Sequence, residues 1–201
     1  MNPKSNRRRS AVAALAAVAL LLLVGCGTQG PAGREARRGP NQLPSKLTVG
    51  KPLPDVMLTK PEGGQVSLLQ SARGQVLLVD VWATWCGPCK FAAPHIQALH
   101  NRFKERGFTA IGVMVDDNAT EIGARVLAEE KPVYPQLFDD ARRHLDEAWG
   151  EPAGIPIFVL VDRDGNVLRV DTGVGDLGGL QQAAEAAVRG QSLPAAGGAT
   201  Q

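Results

Sequence analysis

Two apolar segments of the chain are regular enough to predict strands that are buried on both faces. The first runs from Gln75 to Val81 and is interrupted by Asp80, and the second runs from Phe108 to Val115. Such runs are typical of central strands in a sheet covered by helices. A carboxyl inside a buried strand is costly, so a functional role for Asp80 is favoured over a purely structural one.

The remaining elements follow from apolar periodicity, turn residues and caps. They are a hairpin of Val56–Leu58 and Gln65–Ser67, helices ending at Gly107 and spanning 118–130, 140–149 and 177–189, and strands at 134–138, 157–161 and 166–171. Asp140 is the predicted N-cap of the helix 140–149. Strands and helices alternate until a closing antiparallel hairpin. This order predicts an α/β fold with a mixed central sheet flanked by helices.

The first 26 residues differ in composition from the rest of the chain. Four basic residues precede an apolar stretch of 14 residues, Ala11 to Val24, and Gly25-Cys26 follows. A membrane-spanning helix needs about 20 apolar residues, so a signal segment is favoured over a short anchor. The order Leu23-Val24-Gly25-Cys26 resembles the lipobox of bacterial lipoproteins, which implies that Cys26 is lipidated and tethers the mature chain to a membrane.

Composition divides the remainder of the chain into three parts. Residues 27–46 are rich in Gly, Pro, Arg and Gln, which predicts a flexible linker. Residues 47–190 hold the predicted elements and are long enough for one domain with a core. Residues 191–201 are mostly small and predict a disordered tail.

The charge distribution argues against a nucleic-acid partner. The chain has 22 basic and 20 acidic residues, a formal net charge of +2. Four of the basic residues precede the apolar stretch, which leaves 18 basic against 20 acidic residues and a net charge of −2. A nucleic-acid-binding face would need its basic excess in the folded part.

The most informative stretch is Trp85-Cys86-Gly87-Pro88-Cys89, between the first buried strand and the next helix. Backbone N–H groups and the dipole at a helix N-terminus stabilise a thiolate. Cys86 is therefore the candidate nucleophile towards a disulfide, and Cys89, one turn along, is the candidate that resolves the mixed disulfide. A zinc half-site is the alternative, but it needs two further ligands and the sequence offers no second cysteine pair.

The segment 79–90, VDVWATWCGPCK, resembles the active site of thioredoxin-fold oxidoreductases, and Pro94 follows where that family kinks its helix. Downstream, Gly154-Ile155-Pro156 resembles the cis-proline loop that faces the cysteines in that family. The resemblance covers residues 47–189 and implies a thioredoxin-like fold. It implies that the catalytic residues are Cys86, Cys89, Asp80 and Pro156. It implies that the substrate-binding residues are Trp85, Gly87, Pro88, Ile155 and Gly173.

Residues 117–149 form an insertion before the cis-proline loop. With the lipoprotein signal and the N-terminal hairpin, this resembles the membrane-tethered TlpA/ResA branch, which handles disulfides outside the cytoplasm, often during cytochrome c maturation. Members of that branch often carry an acidic residue just after the second buried strand. Asp117 is the candidate acid or base here, with Asp116 beside it, and loop solvation is the structural alternative.

The resemblance makes Asp80 the proton acceptor for the resolving cysteine. In thioredoxins a lysine on the next strand pairs with this aspartate, whereas the corresponding segment here reads Ile111-Gly112-Val113 and supplies no cation. The partner of Asp80 is therefore open at this point.

The function implied is an extracytoplasmic thiol-disulfide oxidoreductase. It would reduce protein disulfides, with apocytochrome c as a candidate substrate, be recharged by a membrane electron donor, and need no cofactor or metal. Gly87-Pro88 is the thioredoxin dipeptide and favours a reductant. An oxidase or isomerase on the same fold stays open, as does a metallochaperone that binds Cu(I) through Cys86 and Cys89.

Overall fold

The computed structural model describes residues 43–193, in which a seven-stranded sheet lies between layers of helices. Cys26 and the signal segment, residues 27–42 of the predicted linker and residues 194–201 of the predicted tail lie outside the described residues. Within residues 43–193, no helix has the length and apolar character that crossing a membrane requires.

The sheet is mixed, as the sequence predicts. Its strands are β1 (Met57–Thr59), β2 (Gln65–Ser67), β3 (Val76–Trp82), β4 (Phe108–Met114), β5 (Gln136–Phe138), β6 (Ile157–Val161) and β7 (Val167–Thr172). Their order is β2-β1-β5-β4-β3-β6-β7. Because β3 pairs in parallel with β4 and antiparallel with β6, it lies inside the sheet and carries the chain directly towards the cysteines.

Within the described part of the chain, five α-helices accompany the sheet. They are α1 (Leu68–Ser71), α2 (Gly87–Phe103), α3 (Ala119–Glu130), α4 (Arg143–Trp149) and α5 (Leu177–Val188). The short α1 is not predicted from the sequence; the Ser67 hydroxyl begins it by accepting a hydrogen bond from the Gln70 N–H at 3.0 Å. A 3-10 turn extends α2 to Arg106, and Gly107 then takes the left-handed conformation that ends it.

The start of α4 differs from the prediction of a helix capped by Asp140. Ala141 and Arg142 have φ angles of 55° and 56°, so regular helix begins at Arg143. The buried carboxylate of Asp139 accepts hydrogen bonds from the N–H groups of His144 and Leu145. Asp140 instead accepts from the Thr120 N–H at the start of α3, at 2.7 Å. The N–H groups at the start of α4 therefore bond to Asp139, and Asp140, the predicted cap, serves the start of α3.

The two faces of the sheet pack in separate clusters. On one face, Leu77, Val79 and Val81 of β3 pack in a cluster that also contains Cys86 and Cys89. On the other face, α2 and α5 cover the sheet, and Leu78 of β3 packs against them. Since alternate residues of a strand share a face, Asp80 lies on the α2 side.

The last residues of the predicted linker already contact the domain. Pro44 is buried, and the Lys46 N–H donates to the carbonyl of Trp149 at 2.8 Å. This contact joins the start of the described chain to the end of α4.

Candidate active site

Cys86 is the N-cap of α2, with Gly87 and Pro88 in the first helical positions. Its Sγ accepts a hydrogen bond from the Cys89 N–H at 3.1 Å. The two cysteines form a disulfide with an S–S distance of 1.99 Å, and both are buried. In the reduced protein the same N–H donor and helix terminus would stabilise a thiolate on Cys86, as the sequence predicts.

The loop that presents Cys86 is anchored by Asp116, which follows β4. The buried Asp116 carboxylate accepts from the Thr84 N–H at 3.0 Å and from the Thr84 hydroxyl at 2.5 Å. Because β3 and β4 are parallel, their C-terminal ends meet at one edge of the sheet, which brings this pair together. Asp117, the candidate acid or base predicted from the sequence, is exposed, and its acid–base role stays a prediction.

The predicted cis-proline loop lies against the same cluster. The Ile155–Pro156 peptide bond is cis, and Ile155 packs on the buried cluster that holds the cysteines. The Pro156 carbonyl accepts from the Gly173 N–H at 2.9 Å, which ties the loop to the end of β7. Gly173 has a φ of 74°, a conformation that favours glycine. The roles of these three residues in binding substrate stay predictions.

Exposed aromatic side chains flank the buried cysteines in the chain. Trp85 is 71% exposed and Phe91 is 62% exposed. The Phe91 ring lies 5.8 Å from that of His95, between ring centres, on the solvent-facing side of α2. Exposed apolar side chains beside a reactive centre are suited to contact a partner protein. Phe91 is not among the site residues predicted from the sequence. The signal that could have found it is its position outside the apolar stripe that Ile96, Leu99 and Phe103 form on the same helix.

Asp80 is 4% exposed, and its hydrogen-bond partner is Tyr134, from the insertion. The Tyr134 hydroxyl donates to Asp80 Oδ2 at 2.7 Å across 54 residues of sequence. Burial raises the pKa of Asp80 to about 6, although the hydrogen bond from Tyr134 acts in the opposite direction. Burial, and then the nearby carboxylate, raise the pKa of Tyr134 well above its usual range, so this hydroxyl stays protonated.

A cavity of about 110 Å³ borders both Asp80 and Cys89. Its other lining residues are Trp82, Lys90, Ala93, Gln97, Glu130, Pro132, Tyr134 and Gln136. The buried carboxyl and the predicted resolving cysteine therefore border one space, in which water molecules could connect them. A larger cavity of about 260 Å³ lies near the start of β3 and borders neither cysteine.

The described residues do not form a conventional metal centre. Among residues 43–193, no group of three or more His, Cys, Asp or Glu side chains is placed to hold a metal ion. Structural zinc requires four such ligands. Cys86 and Cys89 supply two sulfurs, and the two are joined as the disulfide that thiol-disulfide exchange forms.

Comparison with known proteins gives the same chemistry. The profile of the redoxin family matches residues 48–187. Thiol-disulfide oxidoreductase ResA of Bacillus cereus is 27% identical over 74% of this chain and 82% of its own length. Thiol:disulfide interchange protein HelX of Rhodobacter capsulatus is 33% identical over 64% of this chain and 70% of its own length.

Solved structures place the fold in the same group. The crystal structure of a putative thiol:disulfide interchange protein DsbE from Chlorobium tepidum superimposes with a TM-score of 0.64. It is 30% identical in sequence, and the match covers 71% of this chain and 99% of the other. The predicted thioredoxin-like fold is thereby confirmed.

Proposed function

We propose that this chain, which belongs to the redoxin family and is a thiol-disulfide oxidoreductase, works as a reductant of protein disulfides outside the cytoplasm. The observation that carries the proposal is the Cys86–Cys89 pair at the N-terminus of α2, next to an exposed Trp85. The Gly87-Pro88 dipeptide between the cysteines supports the reducing direction.

In the first step the Cys86 thiolate attacks one sulfur of a substrate disulfide. A bond forms between Cys86 and that sulfur, the substrate S–S bond breaks, and the second substrate sulfur leaves as a thiolate that takes a proton from water. The Cys89 N–H and the α2 N-terminus stabilise the attacking thiolate. Trp85 and the Ile155–Pro156 loop would contact the substrate chain around the cysteines, which the exposure of Trp85 and the packing of Ile155 on the cysteine cluster support.

In the second step Cys89 resolves the mixed disulfide. Its thiol gives a proton to the Asp80 carboxylate, and the resulting thiolate attacks Cys86 Sγ. The Cys86–Cys89 disulfide forms, the first substrate sulfur leaves as a thiolate, and two electrons have passed to the substrate. With a pKa of about 6, Asp80 is suited to accept this proton near neutral pH and to release it afterwards.

The oxidised enzyme must then be reduced by an external dithiol. We assign this step to a membrane electron donor, because the lipobox-like Leu23-Val24-Gly25-Cys26 supports a lipid tether at Cys26. The part of the predicted linker that precedes the described residues, 27–42, would let the domain reach both partners. The location is then the periplasm or outer face of a bacterial membrane, and the resemblance to the TlpA/ResA branch makes apocytochrome c a candidate substrate.

Trapping of the mixed disulfide tests the proposal. In the full chain carrying Cys89→Ala, the substrate stays bonded to Cys86 because the second step cannot occur. The matched control, Cys86→Ala, should retain nothing. Non-reducing electrophoresis and mass spectrometry of the adducts measure both. An absence of adducts on Cys89→Ala, or equal adducts on the two variants, would contradict the assigned roles.

A further inference from the structure

The carboxyl of Asp80 is held by an uncharged donor. Its register partners are Gly112 on β4 and Phe158 on β6, and neither has a charged side chain. Tyr134 supplies the 2.7 Å hydrogen bond instead and is itself buried. In the thioredoxins that this site resembles, a lysine pairs with the aspartate.

The side chain of Gln136 explains why a tyrosine, and not a residue of β4, reaches Asp80. Its amide lies over Gly112, where an added Cβ would be only 2.1 Å from Gln136 Oε1. Gln136 Oε1 accepts from the Trp82 indole at 2.9 Å, and Gln136 Nε2 donates to the Tyr134 carbonyl at 3.2 Å. A long side chain at position 112 would displace this amide from the Tyr134 carbonyl. Gly112 is therefore required for the packing that holds Tyr134 next to Asp80.

Three other titratable side chains of α2 lie near Asp80 or Tyr134. On α2, Cys89 borders the same cavity, and Lys90 is exposed and 3.6 Å from Glu130 at the end of α3. His100, also on α2, lies beside the Tyr134 ring at 6.1 Å between ring centres. Burial lowers the pKa of His100, so its imidazole is neutral near pH 7.

We propose that Tyr134 is a positioning residue that takes the place of a cation at Asp80 and sets the pH range in which this carboxylate accepts the proton of Cys89. This inference rests on the proposed function for its kinetic consequence. The hydroxyl donates to the ionised form of the carboxyl, so it favours that form against the cost of burial. The cavity has room for several water molecules, through which the accepted proton would pass from Asp80 to solvent.

The first test compares the pH dependence of disulfide reduction in the full chain and in Tyr134→Phe, with oxidised glutathione and insulin as probes. Loss of a hydrogen bond to a charged group should move the inflection upward by about one pH unit, so that the variant is about tenfold slower below the inflection and close to the wild type well above it. Thr109→Val, which removes another buried hydroxyl of the sheet, is the matched control and should not move the inflection. An unshifted inflection in folded Tyr134→Phe would overturn the inference.

The second test uses no enzymatic activity. Tyr134 is the only tyrosine of the chain, so the ultraviolet absorbance of phenolate reports on it alone. The wild type should titrate above the usual tyrosine value of about 10, and Asp80→Asn should titrate at lower pH because the neighbouring carboxylate is gone. Equal titration of the two proteins would overturn the inference even if Tyr134→Phe does not fold. A wild type that reduces no disulfide would instead contradict the proposed function and leave this test valid.

Discussion

The two cysteines are three residues apart, yet their surroundings are built in different ways. Cys86 depends on local structure, since its N–H donor belongs to Cys89 and its helix begins at Gly87. The surroundings of Cys89 depend on distant segments. Tyr134, from the insertion, donates to Asp80, the proposed proton acceptor of Cys89, across 54 residues of sequence, and Gln136 donates to the Tyr134 carbonyl. The nucleophilic half of the site is thus encoded in one motif, and the resolving half is assembled by the fold.

Removal of the nucleophile should have the largest effect. In Cys86→Ala, reduction of insulin disulfides should fall to the uncatalysed rate, because Cys86 is the N-cap of α2 and the remaining Cys89 lies inside the first turn. The free energy of unfolding, compared under reducing conditions, should change little. Catalysis that persists in this variant would show that Cys86 is not the nucleophile.

Asp80→Asn tests the proton acceptor proposed for Cys89. The rate of disulfide reduction at pH 7 should fall by about a hundredfold, the lower range for loss of a general base. The domain should nevertheless stay folded, as far-ultraviolet circular dichroism would show. An unchanged rate would remove Asp80 from the mechanism.

The same carboxyl predicts how stability depends on pH. Because the folded-state pKa of Asp80 is raised from 3.8 to about 6, the folded protein binds the proton more tightly than the unfolded chain. Its contribution to the free energy of unfolding therefore falls as pH rises from about 4 to 6, by about 3 kcal/mol in total. Urea denaturation between pH 4 and 6 measures the free energy of unfolding of the wild type and of Asp80→Asn. The wild type should lose stability with rising pH relative to the variant, and an equal pH dependence of the two proteins would contradict the raised pKa.

Asp116 and Asp117 form a matched pair of variants at one edge of the sheet. Asp116→Ala leaves the Thr84 N–H and hydroxyl without their acceptor, so we expect a loss of about 2–3 kcal/mol in stability and a several-fold lower rate. Asp117→Ala removes an exposed side chain and should change stability by less than about 0.5 kcal/mol. A large rate loss in Asp117→Ala, with a shifted pH profile, would restore Asp117 as the acid or base.

Gly112→Ala should have a smaller effect on stability, through the side chain of Gln136 that packs over Gly112. The new methyl group would force the Gln136 amide away from Trp82, at a cost of about 1–3 kcal/mol. Gly178→Ala is the control, since a Cβ there meets no atom within 4 Å in α5, and it should be neutral or slightly stabilising. Thermal unfolding of both variants measures the difference, and equal melting temperatures would contradict the packing of Gln136 over Gly112.

The sequence predicts what depends on neighbours in the chain. The apolar run of β3, the Cys-x-x-Cys after it and the Ile155-Pro156 dipeptide are all local signals, and the fold that they imply is confirmed. The missing cation opposite Asp80 was also visible, at Gly112. The role of Tyr134 as the donor to Asp80 was not visible, because no pattern near Tyr134 in the sequence indicates that its side chain reaches β3.

Caps and anchors show the same limit. Asp140 has the spacing of an N-cap for the following helix, but the buried carboxylate of Asp139 accepts the N–H groups of its first turn, and Asp140 accepts from Thr120 of α3. Asp116 likewise looks like one of two loop carboxylates until the parallel pairing of β3 and β4 brings it to Thr84. In each case a long-range contact decides between adjacent residues of the same type.

The direction of electron flow is the central claim, and the midpoint potential of the Cys86–Cys89 couple tests it most directly. Equilibration of the full chain in dithiothreitol buffers of graded ratio, followed by thiol alkylation and mass spectrometry, gives this potential. A reductant with the Gly87-Pro88 dipeptide should titrate near the thioredoxin value of about −270 mV. A midpoint well above about −200 mV, towards the value of about −120 mV for DsbA, would contradict the account and identify an oxidant.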